Sequence, residues 1–123
     1  MTEIRYEVRH AVHPDDFARY STQQIREHFL VQELFRPGLI NLVYTGYDRF
    51  VVGGICPAAV PLTLGTIPPF RSQYFLERRE LGLVNIGGPA RITVDGQRME
   101  LLHREALYIG KGVREVIFEN AGE

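Results

Sequence analysis

The sequence has little cysteine and almost no net charge. Its 123 residues include one cysteine, Cys56, so no internal disulfide can form. A lone cysteine is typically a small core residue rather than a nucleophile. With 15 acidic and 14 basic residues, the net charge is -1. Because nucleic-acid and membrane-surface binders usually carry a basic excess, we expect neither partner. The chain is long enough for one domain with a real core.

Residues 50–70 contain no charge and, at 21 residues, are long enough to span a bilayer. Four prolines and three glycines interrupt this run. Each proline removes a helical hydrogen bond that lipid cannot replace, so short buried strands fit better. The N-terminus lacks the apolar segment of a signal peptide. We therefore predict a soluble, cytoplasmic protein.

The first 38 residues combine strand and helix patterns. Ile4, Tyr6 and Val8 alternate with charged residues, which is typical of an edge strand or arm. Pro14 followed by two aspartates favours a helix start. A capping box of serine and glutamine predicts a second helix over Thr22–Val31. We predict that residues 1–38 form an N-terminal arm with short helices.

Beyond residue 38 the pattern changes to short strands separated by glycine, proline or Asp-Gly. The pair Asp95-Gly96 predicts a type I′ hairpin between the strands on either side of it. Many short strands at regular spacing indicate a sandwich or barrel. We predict a mainly β fold in which a barrel over residues 39–123 forms one compact unit with the arm. The predicted strands cover residues 39–45, 49–55, 60–64, 72–76, 83–86, 91–94, 98–102, 106–109 and 115–119.

The turn spacing of the second half resembles a cupin barrel. The first cupin motif ends in glutamate, six residues and glycine, and Glu80 and Gly87 have that spacing. The second motif is similar to residues 110–112, with the last ligand position at Glu115. The positions of the two cupin histidines hold poor metal ligands, either Tyr74 and Leu76 or Gln73 and Phe75. We predict a cupin-like double-stranded β-helix, a jelly-roll barrel, that retains the scaffold without its metal.

The four histidines offer few other ligands. His10 and His13 are three residues apart, a spacing that chelates only where the chain is helical. His28 is expected at the surface, and His103 is expected to be hydrogen-bonded within a turn. The alternative is an unusual metal site that joins a histidine to two carboxylates, Glu80 and Glu115.

The segment Tyr74–Glu80 has acidic residues on both sides of Arg78 and Arg79. In a strand these two arginines point to opposite faces, so that one charge would enter the barrel and need a partner. An Arg–Glu network inside the barrel or at a subunit interface is one interpretation, and an arginine clamp for a sugar carboxylate is the other. The predicted substrate or interface contacts are Arg78, Arg79, Tyr74 and Glu80.

Several segments are similar to one enzyme family, the 5-keto-4-deoxyuronate isomerases, also called 4-deoxy-L-threo-5-hexosulose-uronate ketol-isomerases. The resemblance extends over nearly the whole chain, and the stretch YFLERRELG is specific. Family members resemble duplicated cupins and assemble as hexamers. The segments that carry the resemblance are 28–35, 48–55, 74–88, 93–96 and 106–112.

The resemblance implies a ketol isomerisation in pectin and hexuronate breakdown, from 4-deoxy-L-threo-5-hexosulose uronate to 3-deoxy-D-glycero-2,5-hexodiulosonate. The sequence corresponds only to the first half of such a protein. The zinc site of the family, three histidines and a glutamate, lies in the second half and has no counterpart here.

Ketol isomerisation needs a positioned base and an electrophile. We therefore expect a metal-free N-terminal domain without a cofactor of its own, inactive alone. Its expected partners are its own C-terminal catalytic domain or further copies in a homo-oligomer, with a uronate-type sugar acid as ligand. The alternative is a stand-alone module that binds sugar acids or promotes oligomerisation without catalysis.

Overall fold

Short strands dominate the fold. A computed structural model, which describes residues 2–122, has 36% of the chain in strands and 12% in helices, so the predicted mainly β class is confirmed. The sheets are open, and the more specific cupin barrel stays a prediction. The strands are β1 (Glu3–Arg9), β2 (Leu39–Thr45), β3 (Val51–Ile55), β4 (Leu62–Thr63), β5 (Leu81–Val84), β6 (Ala90–Val94), β7 (Gln97–Leu101), β8 (Ala106–Ile109) and β9 (Val116–Asn120).

The first sheet joins the N-terminal arm to the rest of the fold. Strand β1 lies at its edge, parallel to β2, and β3 is antiparallel to β2 on the other side. Gly54 of β3 is buried against the segment before β2. A Cβ at this position would lie 2.8 Å from the carbonyl carbon of Leu34 and closer still to its oxygen. The absence of a side chain at Gly54 therefore permits this close approach.

Two short helices, α1 (Pro14–Phe17) and α2 (Thr22–Phe29), separate β1 from β2. The predicted capping box at α2 is confirmed, because the side chains of Ser21 and Gln24 each accept a hydrogen bond from the other's backbone N–H. The helix ends two residues earlier than predicted. Neither helix has a buried residue. Within residues 2–122, no helix combines the length and the apolar character needed to cross a membrane.

The other two sheets contain the C-terminal strands. One has the order β4-β9-β6-β7, so the last strand of the chain lies in its interior. The predicted Asp-Gly hairpin joins β6 to β7, with positive φ at both Asp95 and Gly96 as a type I′ turn requires. The third sheet pairs β5 with β8. Residues from all three sheets meet in one core, whose most deeply buried side chains are Ile40, Leu76 and Val116.

The prediction of a strand over residues 72–76 is wrong. This part of the chain forms bends and turns that follow a 3-10 turn at Pro68–Phe70. Arg71 ends that turn with a left-handed backbone, at a φ of 51°. The consecutive residues Phe75 and Leu76 are both buried, whereas a strand would turn them to opposite faces. The segment therefore supplies core side chains without pairing in a sheet.

Candidate functional site

Arg79 is the most firmly held of the predicted site residues. Its guanidinium carbon lies 4.0 Å from the ring centre of Phe70 and 5.1 Å from that of Tyr44. Its Nη1 donates to the carbonyl of Arg49 at 2.8 Å, and its Nη2 donates to the Tyr44 hydroxyl at 3.2 Å. The side chain is half-buried. Arg79 therefore links the segment 74–80 to strand β2 and to the loop that connects β2 with β3.

Arg78 contacts a different part of the same region. Its Nη2 donates to the carbonyl oxygens of Phe70 and Arg71, at 2.8 and 2.9 Å. These bonds satisfy carbonyls at the end of the 3-10 turn, where the backbone is left-handed. Within residues 2–122, no ion pair involves Arg78 or Arg79. Within this chain, carbonyl groups and aromatic rings take the place of the glutamates expected inside the barrel, and an Arg–Glu network at a subunit interface stays a prediction.

Tyr74 and Glu80 lie at the two ends of the segment. The guanidinium of Arg114 lies 4.8 Å from the centre of the Tyr74 ring. The Oε2 of Glu80 accepts a hydrogen bond of 2.7 Å from the Tyr108 hydroxyl on β8. The four predicted residues thus reach four different parts of the fold. Their proposed contact with substrate or with an interface stays a prediction.

The hydrogen bond between Glu80 and Tyr108 leads to a prediction about the pKa of Tyr108. The hydrogen bond to Glu80 and then partial desolvation raise the pKa of Tyr108, with a smaller contribution from the carboxylate charge. Because the folded-state pKa is the higher one, the associated stability is present at neutral pH and is lost as pH rises through that pKa. We expect Glu80→Gln to lower the pKa of Tyr108, measured by NMR of ring-labelled tyrosine, with Tyr108→Phe assigning the resonance.

Glu77→Gln is the matched control for this titration. Glu77 belongs to the same segment, but its carboxylate accepts from the backbone N–H of Gln73 instead. Its replacement should leave the pKa of Tyr108 unchanged. Equal shifts in the two variants would mean that the net charge of the segment, and not the hydrogen bond, sets the titration.

The histidines do not converge. His10 is exposed, and the Nδ1 of His13 accepts from the backbone N–H of Asp15 at the start of α1. His28 is exposed, as predicted, and stacks on Tyr20. His103 is hydrogen-bonded as predicted, but its partner lies outside its own turn, because its Nδ1 is 3.0 Å from the carbonyl oxygen of Gly87, 16 residues away.

Across residues 2–122, no three histidine, cysteine, aspartate or glutamate side chains are grouped closely enough to hold a metal ion. The alternative of a histidine with Glu80 and Glu115 therefore has no site in this structure. Glu115 is exposed, and its backbone N–H donates to the Asp95 carboxylate. The described residues therefore offer no donor set that fits zinc, whose ligands the family resemblance places in the second half.

A cavity lined mainly by apolar side chains was not predicted from the sequence. It has a volume of about 470 Å³ and lies between β3, β5, β6 and β9, beside the loop 85–89. Cys56 is half-buried in its wall instead of in the core. Gly53, Gly87 and Gly88 also contribute to the wall. Its main apolar lining residues are Phe35, Ile55, Leu83, Ile92, Leu101 and Phe118.

A second, open depression is polar. It lies beside the 3-10 turn and presents a guanidinium, a carboxylate, an amide and hydroxyl groups. The hydroxyl groups of Thr66 and Ser72 are hydrogen-bonded to each other at 2.7 Å. The remaining polar side chains are those of Arg71, Gln73 and Glu77.

Fold and site together define a small, mainly β protein in which charged residues of segment 74–80 contact strand β2 and strand β8. No protein-family model matches the chain. Comparison with curated proteins shows that it is homologous to the N-terminal part of the 4-deoxy-L-threo-5-hexosulose-uronate ketol-isomerases, which confirms the resemblance seen in the sequence.

The similarity covers most of this chain but less than half of its relatives. The chain is 48% identical over 114 residues to the ketol-isomerase of Formosa agariphila, a match that spans 93% of this chain and 41% of the relative. Ketol-isomerase 1 of Bacteroides thetaiotaomicron is 46% identical over 118 residues, or 96% of the chain and 42% of the relative. The Bacillus pumilus protein is also 46% identical, over 94% of the chain and 42% of the relative.

Proposed function

We propose that the chain is the metal-free N-terminal domain of a 4-deoxy-L-threo-5-hexosulose-uronate ketol-isomerase, cytoplasmic and inactive alone. The observation that carries this proposal is the match of 93–96% of the chain to only 41–42% of its relatives. The grouping of potential metal ligands points the same way, since the described residues 2–122 form no set of three. In the longer protein the domain is a cupin-like barrel over residues 39–123 that carries the arm of residues 1–38.

The reaction explains why such a domain needs a partner. Moving a carbonyl between adjacent carbons requires removal of a proton next to it, and an electrophile stabilises the enediolate that forms. A zinc ion supplies that electrophile when bound, and we assign its ligands to the remaining part of the longer protein. The role of this domain is to pack against that part and to complete the assembly, as a homo-oligomer in the family pattern.

Activity of the isolated chain tests the proposal. We expect no conversion of 4-deoxy-L-threo-5-hexosulose uronate by the purified 123-residue chain, with or without added zinc. Elemental analysis after dialysis against a weak chelator should give no bound zinc. The full-length Formosa agariphila protein, prepared and assayed in parallel, is the positive control. Turnover by the chain alone, or about one zinc held per chain, would contradict the assignment.

The polar depression supports a second candidate function, a stand-alone sugar-acid-binding module. Arg71 could pair with a carboxylate there, while Ser72 and Gln73 supply hydroxyl and amide groups for a sugar. Calorimetric titration of the isolated chain with galacturonate separates the two candidates. Binding that Arg71→Leu abolishes would favour the module, and absence of binding would favour the N-terminal domain.

A further inference from the structure

The outer face of the β5–β8 sheet is apolar. Gly82 lies opposite Tyr108, and Val84 lies opposite Ala106. These four residues alternate with Leu81, Leu83, Leu107 and Ile109, which belong to or pack against the core. Val84 is 68% exposed and Tyr108 is 67% exposed. A sheet with one face in water normally carries polar side chains on that face, and this face carries no charged residue.

This surface continues into the apolar cavity. Val84 lines the cavity as well as the outer face, and so does Ile86, which is 60% exposed just beyond β5. Phe35, which is 48% exposed, also lines the cavity. We call the surface formed by Gly82, Val84, Ile86, Ala106 and Tyr108 the β5–β8 face. An exposed apolar surface that leads into an apolar recess has the shape of an interaction site.

Polar groups surround the β5–β8 face. Glu80 and the Tyr108 hydroxyl bond to each other on one side. Glu119 and Asn120 lie at the cavity on another side, where Arg91 approaches Glu119 at 3.9 Å. An apolar centre with a polar rim is the usual composition of a protein–protein interface.

We propose that the β5–β8 face is the docking surface for the rest of the longer ketol-isomerase chain, which places an apolar side chain in the cavity. This inference rests on the proposed function. More than half of each relative lies outside the matched segment, and that length is enough for a second domain.

The position of residue 122 supports the proposal that the rest of the longer chain docks on the β5–β8 face. The backbone N–H of Ala121 donates to the carbonyl of Pro89 at 3.0 Å, and a Cβ at Gly122 would lie 3.4 Å from Cδ of the Pro89 ring. Pro89 and Asn120 both line the cavity. A chain that continues past residue 122 would therefore start at the rim of the β5–β8 face and needs no long linker to reach it.

Cys56 provides a probe of the docked state because it lies in the cavity wall. The experiment uses a fusion of this chain to the remaining part of the Formosa agariphila relative. Maleimide labelling of Cys56 is followed by peptide mass spectrometry in the fusion and in the 123-residue chain. We expect labelling at least tenfold slower in the fusion. In the fusion, Val84→Lys should restore rapid labelling, while Val60→Lys, at a matched 66% exposure, should not.

The outcomes separate the two proposals. An active fusion in which Cys56 stays as reactive as in the isolated chain overturns the docking surface and leaves the proposed function intact. Protected Cys56 in a folded but inactive fusion supports the surface and counts against the function. Dimers of the isolated chain that Val84→Lys dissociates, seen by light scattering, would show a second copy on the face and would overturn the proposal.

If the fusion does not fold, the same labelling experiment can be done on a full-length relative. The full-length Formosa agariphila protein then takes its place, with a cysteine at the residue aligned with Cys56 and with lysine at the residues aligned with Val84 and Val60. Protection that only the lysine aligned with Val84 removes supports the docking surface, and rapid labelling of the otherwise unchanged protein overturns it.

Discussion

Replacing Gly54 by alanine is expected to destabilise the chain by about 2–3 kcal/mol, because the new methyl group meets backbone instead of a movable side chain. The Cβ position lies 2.8 Å from the carbonyl carbon of Leu34. Relief requires either β3 or the segment before β2 to shift, and β3 is paired along its length with β2. Thermal unfolding followed by circular dichroism should show the melting temperature falling by about 4 °C for each kcal/mol.

Gly82→Ala is the matched control. Gly82 also lies in a strand, but a Cβ there meets nothing within 4 Å. Its replacement should change stability by less than about 1 kcal/mol and could raise it, since alanine restricts the unfolded chain. If Gly54→Ala and Gly82→Ala melt at the same temperature, the close approach to Leu34 does not limit the fold.

Arg79→Met is expected to cost about 2 kcal/mol, by losing a cation–π contact and a charge-assisted hydrogen bond together. The guanidinium lies over Phe70 and donates to the carbonyl of Arg49 at the same time. Methionine keeps much of the apolar stem but leaves that carbonyl without its donor. Urea unfolding should show a lower midpoint with an unchanged slope.

Arg79→Lys separates the charge from the geometry of the guanidinium. A planar, forked group can stack on a ring and donate in two directions, whereas an ammonium cannot do both. The lysine variant should therefore recover less than half of the lost stability. Arg98→Met, at an exposed position on β7, is the surface control and should be near neutral. Full recovery by lysine would show that charge alone matters at this position.

The sequence predicted those features that depend on neighbouring residues. The capping box before α2 and the Asp-Gly hairpin between β6 and β7 each involve only a few consecutive positions. The range of β2 was correct because its residues, Leu39–Thr45, lie between a Pro-Gly pair and the glycine that follows them.

Features that depend on distant parts of the chain were not predicted. Alternation in the first strand indicated an edge, but not the parallel pairing of Glu3–Arg9 with Leu39–Thr45. The charged segment also resembled a strand locally. Its true shape places both Phe75 and Leu76 in the core, where they pack with residues from distant parts of the chain.

The contacts of the candidate site also depend on residues that are distant in sequence. Charge density singled out Arg79 as a candidate for contact with substrate or an interface, and opposite charges along the chain suggested glutamate partners. The actual partners are two aromatic rings and a carbonyl oxygen. Phe70 and Tyr44 are nine and 35 residues away in sequence, and no local pattern connects them to the arginine.

The interior position of β9 has a consequence for synthesis on the ribosome. This strand pairs with β4 on one side and with β6 on the other, and it supplies the buried residues Val116 and Phe118. The four-stranded sheet is therefore incomplete until Asn120 has left the exit tunnel. Until then the nascent chain exposes the apolar side chains that β9 will cover, and it is open to chaperones or to premature pairing with other chains.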